Sequence, residues 1–307
     1  MALPRSLLAA LVVAALAWGV GACDRNKAPP QPPTEPDSSG IVLRHAARDR
    51  PVEQDLELQL TQTRLGQYLE ADVRVRAELR VEAGKGDALR TSWALVEVPT
   101  LELTGTVEPG DVDRLRTLLL GQGKGAAILD AHGLLDAAAT DADPLNTARD
   151  RAVAAPQVPA VTGALLMSTI AEQLRLPRLP VEALELDTPV ELAEESETVV
   201  TDLDLVLPTT TVHRFTLRKV ETIAGARVAE IEVVIASVAE PEVDLAEPEA
   251  KPSPPAAELE SRAEGTLIFD LDGHLPVSLE LSRTESFRFG DKELERTLQV
   301  RATFASP

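Results

Sequence analysis

A chain of 307 residues with 50 acidic against 30 basic side chains, a formal net charge of −20, is as a whole a poor partner for nucleic acid or anionic lipid head groups. Aromatic residues make up 3%, which argues against stacking platforms for sugars or bases. Cys23 is the single cysteine, so neither an internal disulfide nor a cysteine-based metal site can form, and a chain long enough for one large domain or two small ones must be held by its core.

The first element is an export signal. Arg5 precedes an apolar run from Leu7 to Val20, and the small residues Gly21 and Ala22 lead into Cys23. The run is short of the roughly 20 apolar residues that a membrane-spanning helix needs. Its ending, Val20-Gly21-Ala22-Cys23, resembles the lipobox of bacterial lipoproteins. That resemblance implies removal of residues 1–22 as a signal peptide and a diacylglyceryl thioether, with palmitate, on Cys23. It also implies a lipid anchor in a membrane of the cell envelope, facing the periplasm or the exterior. Asp24, directly after the cysteine, resembles the sorting signal that retains lipoproteins in the inner membrane of enteric bacteria. The competing reading is an ordinary signal peptide, or a signal anchor, with an incidental cysteine.

Residues 23–40 then form a tether. Pro29, Pro30, Pro32, Pro33 and Pro36 leave little to bury, and in polyproline II geometry, at about 3.1 Å per residue, the segment reaches roughly 50 Å.

From Ile41 onward the dominant signal is period-two alternation, the mark of strands with one apolar and one wet face. Val73, Val75, Ala77, Leu79 and Val81 alternate with Arg74, Arg76, Glu78, Arg80 and Glu82. The turn Gly84-Lys85-Gly86-Asp87 leads to a partner strand from Trp93 to Leu103, predicting a long antiparallel hairpin. Further alternation occurs at Leu56/Leu58/Leu60, Leu203/Leu205/Leu207, Ile231/Val233/Ile235, Val277/Leu279/Leu281 and Leu298/Val300/Ala302/Phe304.

Two stretches carry helical spacing instead. Asp111 to Leu120 opens with acids, sets Val112, Leu115 and Leu119 on one stripe and meets Gly121 at its end. Residues 160–175 align Leu166, Ile170 and Leu174 beside Val161 and Leu165, and Pro177 and Pro180 stop the helix. Both are expected to lie against a sheet. Residues 240–260, rich in Pro, Glu and Ala, read as a disordered acidic loop inserted in a hairpin.

An internal repeat organises the whole. Gly125-Ala-Ala-Ile-Leu-Asp130-Ala-His-Gly133-Leu-Leu135 aligns without gaps with Gly265-Thr-Leu-Ile-Phe-Asp270-Leu-Asp-Gly273-His-Leu275. The same offset carries the turn at Gly84 onto Ala224-Gly225-Ala226, and the strand Asp55–Leu60 resembles Asp202–Leu207 after a small slip. The domain 41–307 is therefore expected to hold two related strand-rich halves, about 41–135 and 200–307, joined by a helical connection at 136–199. The fold class expected is α+β, mainly antiparallel β, with the halves forming a curved sheet or half-barrel covered by two or three helices.

The corners Asp130 to Gly133 and Asp270 to Gly273 bring Asp130, His132, Asp270, Asp272 and His274 into question as metal ligands. Calcium and zinc both need more ligands at set positions, so turn chemistry is the favoured role and no metal or cofactor is expected. No Gly-x-Ser-x-Gly elbow, His-Glu-x-x-His pair or phosphate-cradling loop is present, and His45, His132, His213 and His274 have no triad pattern around them, so an enzyme is not expected. Arg74, Arg76, Arg80 and Arg90 form a basic strip that either grips an acidic ligand or pairs across strands with neighbouring acids, the commoner fate.

The lipobox, tether, long-stranded sheet and few helices together resemble, at the level of architecture, the half-barrel lipoproteins of the lipoprotein-carrier and lipoprotein-receptor type. Leu179-Pro180 through Asp187-Thr188-Pro189, with the Phe269-Asp270-Leu-Asp-Gly273 corner, also resembles uncharacterised bacterial lipoproteins built as β-rich repeats, with Leu186 and Pro189 standing where their pattern has glycine and tryptophan. The expectation is a non-catalytic envelope module for a hydrophobic or lipid-like ligand. The alternative is a structural or protein-interaction module with a solidly packed sheet. Neither calls on nucleic acid; the partners expected are the membrane, through the anchor, and a hydrophobic ligand or an envelope protein.

Overall fold

The computed structural model describes residues 40–64, 67–105, 110–135, 160–200, 205–223, 225–239, 257–290 and 292–305. Its strands are β1 (Val52–Arg64), β2 (Gln67–Ala83), β3 (Leu89–Gly105), β4 (Lys124–Leu129), β5 (Pro189–Val200), β6 (Leu205–Ile223), β7 (Ala226–Ala239), β8 (Ala257–Asp270), β9 (Leu275–Phe289) and β10 (Lys292–Ala305). The two described helices are α1 (Asp111–Gln122) and α2 (Ala160–Gln173). All ten strands join one antiparallel sheet in the order β4-β3-β2-β1-β10-β9-β8-β7-β6-β5. The fold is thus dominated by antiparallel β-structure, as the alternation predicts. Hairpins connect most neighbours, while the chain passes from one sheet edge, β4, to the other, β5.

Alternation becomes burial strand by strand. In β2, Ala71, Val73, Val75, Ala77, Leu79 and Val81 are buried, and Arg74, Arg80 and Glu82 between them are exposed. The same inner face receives Leu56, Leu58 and Leu60 of β1 and Leu298, Val300 and Ala302 of β10, which pair in register. Leu115 and Leu119 of α1 and Leu166, Met167 and Ile170 of α2 close over it, with Leu43, Leu176, Leu179 and Leu184 from the irregular segments. Each such leucine contributes about 1.5–3 kcal/mol on burial. Gln54, fully buried on β1, donates from Nε2 to the Gln173 carbonyl at 3.0 Å and so satisfies one of the unpaired carbonyls at the end of α2.

Where alternation fails, a bulge explains it. In β3, Val96 and Glu97 both face solvent because the register against β2 shifts twice between Arg74 and Ala77. Pro99 lies within this irregular stretch, one of the few places where a strand tolerates proline. Val277, expected inside with Leu279, is 40% exposed because it falls in the register shift between the Ile268–Ser278 and Phe269–Pro276 pairs.

Four boundaries are corrected. Helix α1 runs past Gly121, and it is Gly123 whose N–H closes on the Leu119 carbonyl at 2.6 Å. Helix α2 ends at Gln173, a turn before the prolines. The connection expected to be helical through residue 199 contains β5 from Pro189 onward, where Val190, Leu192 and Glu194 alternate with exposed Glu191, Ala193 and Glu195. The loop assigned to 240–260 yields at Ala257 to β8, because Ala257, Leu259 and Ala263 continue an inward-facing row that composition alone obscures. Residues 240–256, like residues 1–39 with Cys23, Asp24 and the tether, lie outside the described residues.

Candidate ligand site on the inner sheet face

The two corners do what turn chemistry asks of them. Asp130 Oδ1 accepts from the N–H groups of His132 (2.9 Å) and Leu134 (2.8 Å), while Asp270 Oδ1 accepts from those of Asp272 (3.0 Å) and Gly273 (2.8 Å). Asp272 Oδ2 also accepts from the Arg227 N–H at 2.9 Å. Gly133 stands at φ +81°, where a Cβ would lie 2.6 Å from the Pro177 carbonyl oxygen.

The sequence does not reveal that residues of both corners border one surface depression, of about 750 Å³, which His132 and His274 line with His45 and Asp130. His45 Nε2 lies 2.9 Å from the Pro177 carbonyl oxygen, which can only accept, so Nε2 carries the proton and the buried Nδ1 is a bare acceptor without a partner among the described residues. Desolvation by burial lowers the His45 pKa to about 4 against the opposing pull of the Pro177 carbonyl, and nearby His132 lowers it further. Among the described residues, no three His, Cys, Asp or Glu side chains are placed to hold a metal ion.

The basic strip lies on the wet face, where Arg74 and Arg76 pair across strands and Arg80 pairs within its own strand. Arg74 pairs with Glu57, Arg76 reaches both Asp55 and Glu97 at 3.0 Å, and Arg80 meets Glu78 at 2.7 Å; Arg90 lies opposite Glu82. The wet face hollows to about 530 Å³ across β2, β1, β10, β9 and β8, but Arg74 and Arg301 in that hollow are already matched by Glu57 and Glu280.

The inner face holds the arrangement that sequence reading missed. Glu194, Thr211, Ser237, Ser261, Glu285, Arg296 and Gln62 are successive cross-strand partners on β5, β6, β7, β8, β9, β10 and β1. They form one polar belt across seven strands of a face that is otherwise mostly apolar. Thr211 and Ser237 share a hydroxyl hydrogen bond of 2.9 Å. Arg283, one row away on β9, donates from Nε to Ser261 Oγ at 2.9 Å and pairs with Glu172 of α2 and with Glu285, each at 3.1 Å. Burial pulls the Arg283 guanidinium down, yet Glu172 and Glu285 together hold its pKa above the ordinary value. Arg296 meets Glu285 at 2.7 Å, while its buried Nε has no partner among the described residues. At the β5 end, Arg178 binds Glu194 at 2.7 Å and lies 3.7 Å from Asp130, linking the edge strand to the first corner. His213, stacked on Phe215, sits next to this end of the belt; desolvation lowers its pKa, partly offset by Glu194 and reinforced by Arg178.

The belt divides the apolar face. On one side lies the main core under the helices. On the other is a smaller cluster of Leu207, Ala239, Ala257, Leu259 and Phe287, with Phe289 and Leu294 packed against it. Every member of this cluster stands on a strand.

The fold and belt together define a β-rich protein built on one long-stranded antiparallel sheet. No family model matches the chain, and no curated protein matches it closely enough to count as a relative.

Proposed function

We propose that this chain is a non-catalytic lipoprotein of the cell envelope whose sheet binds a hydrophobic or lipid-like ligand on its inner face. In this reading residues 1–22 are removed as a signal peptide, Cys23 carries the lipid and Asp24 bears on which membrane receives it. The observation that supports binding is the separation of the inner face into a helix-covered core and a second, strand-only apolar cluster, with a row of polar groups between them. A face meant only for packing gains nothing from seven polar side chains in register, because burying them costs free energy unless each is matched.

The finer architecture belongs to the same proposal: two related halves curving toward a half-barrel. In its favour, β1 to β4 and β5 to β8 lie in the same relative order in the sheet, and each set ends at an aspartate corner. Arg178 joins the corner after one edge strand to the other edge strand.

The complete burial of Leu56, Leu115, Leu119 and Leu166 favours the second reading, a packed structural or interaction module. Native mass spectrometry of the protein extracted from its own membrane separates the two. Co-purifying lipid supports binding; a bare protein removes it. Labelled palmitate should reach the wild type and not Cys23→Ser, and an Asp24→Ser form that leaves its membrane location unchanged would discard the sorting role.

A further inference from the structure

We infer that one end of the sheet, the end at which the described chain begins, docks onto a bilayer of neutral head groups through the apolar side chains exposed there. This rests on the lipid-anchor reading above and deepens it by naming the surface that meets the membrane.

Alternate turns of an antiparallel meander fall at the same end of the sheet. The ladders set the β2–β3, β6–β7 and β8–β9 turns, the corner after β4 and the first residues of β1 and β5 at this end. Hydrogen bonds gather these pieces. The His45 N–H donates to the Ala131 carbonyl, Arg48 donates to the carbonyls of Val81 and Gly273, and the Leu179 N–H donates to that of His132. Gly40, where the described chain begins, belongs to the same end, because Ile41 and Leu184 exchange two backbone hydrogen bonds of 2.8 Å.

This end also collects exposed apolar side chains. Val42, Leu134, Val181, Leu186, Val220 and Ile223 are between 39% and 59% exposed. Val42, Val181 and Leu186 flank the Ile41–Leu184 bridge, and the bridge from Leu186 to Leu217 carries the set onto β6, whose last residues include Val220 and Ile223. At the opposite end, Tyr68 and Val238 are the exposed large apolar side chains among the described residues. Single exposed valines and leucines are ordinary on a surface, but a group gathered at one end marks contact with something apolar.

The chain itself points to the occupant. Residues 24–39 join Cys23 to Gly40, and at about 3.1 Å per residue they reach roughly 50 Å. A lipid on Cys23 therefore keeps this end close to the bilayer, at an effective concentration where a weak apolar contact suffices. Charge selects the head groups. Arg218 and Lys219 are held by Asp187 and Glu221, and the exposed Glu182 and Glu185 stand between Val181 and Leu186, so the patch gives no grip on an anionic surface. The same glutamates oppose a second copy, because a two-fold contact sets the patch against itself.

Lipid-borne quenching tests this. The full-length protein is reconstituted into phosphatidylcholine vesicles containing doxyl-labelled phosphatidylcholine, with a nitrobenzoxadiazole probe on Leu186→Cys, on Ile223→Cys or, as the far-end control, on Tyr68→Cys. Cys23, capped by lipid, takes no probe. The first two probes should be quenched about threefold more than the third, and admixed phosphatidylglycerol should not raise the quenching. Equal quenching at all three positions, or none, overturns the docking, as does quenching that requires phosphatidylglycerol. A blue shift that grows with the protein-to-lipid ratio and lacks quenching overturns it in favour of a second copy. The Ile223 probe decides if Leu186→Cys fails to fold. Probe attached to Cys23 of the wild type is a separate outcome, which overturns the lipid anchor and with it the argument from the tether.

Discussion

His45 and Gly265 show how much of this fold depends on single positions. The imidazole of His45 is 3% exposed and tilts against Phe269 at a centroid distance of 5.7 Å. Its pKa of about 4 lies below the ordinary 6.5, so the native state binds fewer protons than the unfolded chain. The stability it contributes is complete above pH 6.5, declines as pH falls through the window from 6.5 to 4, and is gone below it. The full difference corresponds to about 3 kcal/mol. Urea denaturation of wild type and His45→Gln should show a stability gap that narrows by about 2 kcal/mol between pH 7.5 and pH 4.5. A constant gap would mean that the ring does not titrate with folding. At Gly265, β8 lies so close to β9 that a Cβ would fall 1.8 Å from the Glu280 carbonyl oxygen. Gly265→Ala should therefore destabilise by about 2–4 kcal/mol, since backbone rather than a flexible side chain must yield; a change below 1 kcal/mol in the urea midpoint analysis would show that the strands part easily.

Individual elements divide between charges that hold structure and charges that decorate it. Arg76 is 41% exposed and shares two carboxylates on the wet face, so Arg76→Ala should leave the urea midpoint nearly unchanged, and any difference should shrink at high salt. Arg178 is 13% exposed and reaches Glu194, the His132 carbonyl and Asp130 together, tying β5 to the corner after β4. Its replacement by alanine should cost about 2–3 kcal/mol and persist in 0.5 M salt; equal salt sensitivity in the two variants would erase the distinction. Composition and spacing show these arginines alike, which marks the limit of what the sequence conveys. It makes most of the strands, both helices and the aspartate corners legible because each depends on local periodicity or turn chemistry, whereas the edge strand β5 falls in the segment expected to be a helical connection. The belt is not legible in that way. Ser237, Ser261, Glu285 and Arg296 each look like a lapse in alternation within their own strand, and only the register between strands sets them in a row. The bulge that turns Val277 outward is hidden for the same reason.

At the scale of the molecule, the first strand and the last are neighbours in the middle of the sheet. The segment β1–β4 joins β5–β10 in the sheet through one ladder, twelve residue pairs from Glu53–Ala305 to Arg64–Leu294. Leu298, Val300 and Ala302 of β10 complete the inner face beside Leu60, Leu58 and Leu56 of β1. Such non-local pairing makes the two parts of the chain depend on each other, because neither has a second route to cover the exposed edge and apolar face left by its partner. Trp93, on β3 and 5% exposed, is the only tryptophan after Trp18, so in a chain beginning at Cys23 its fluorescence reports on the first part alone. A chain beginning at Cys23 and truncated after Asp291 loses nothing on β3 or its neighbours β2 and β4. Even so, its Trp93 emission should shift to the red and lose the cooperative urea transition seen in the untruncated protein. If the blue-shifted emission and the cooperative transition both survive, β1–β4 folds by itself and the central ladder joins two independent units. Their loss would mean instead that β10 is required for the hydrophobic face on which α1 and α2 rest.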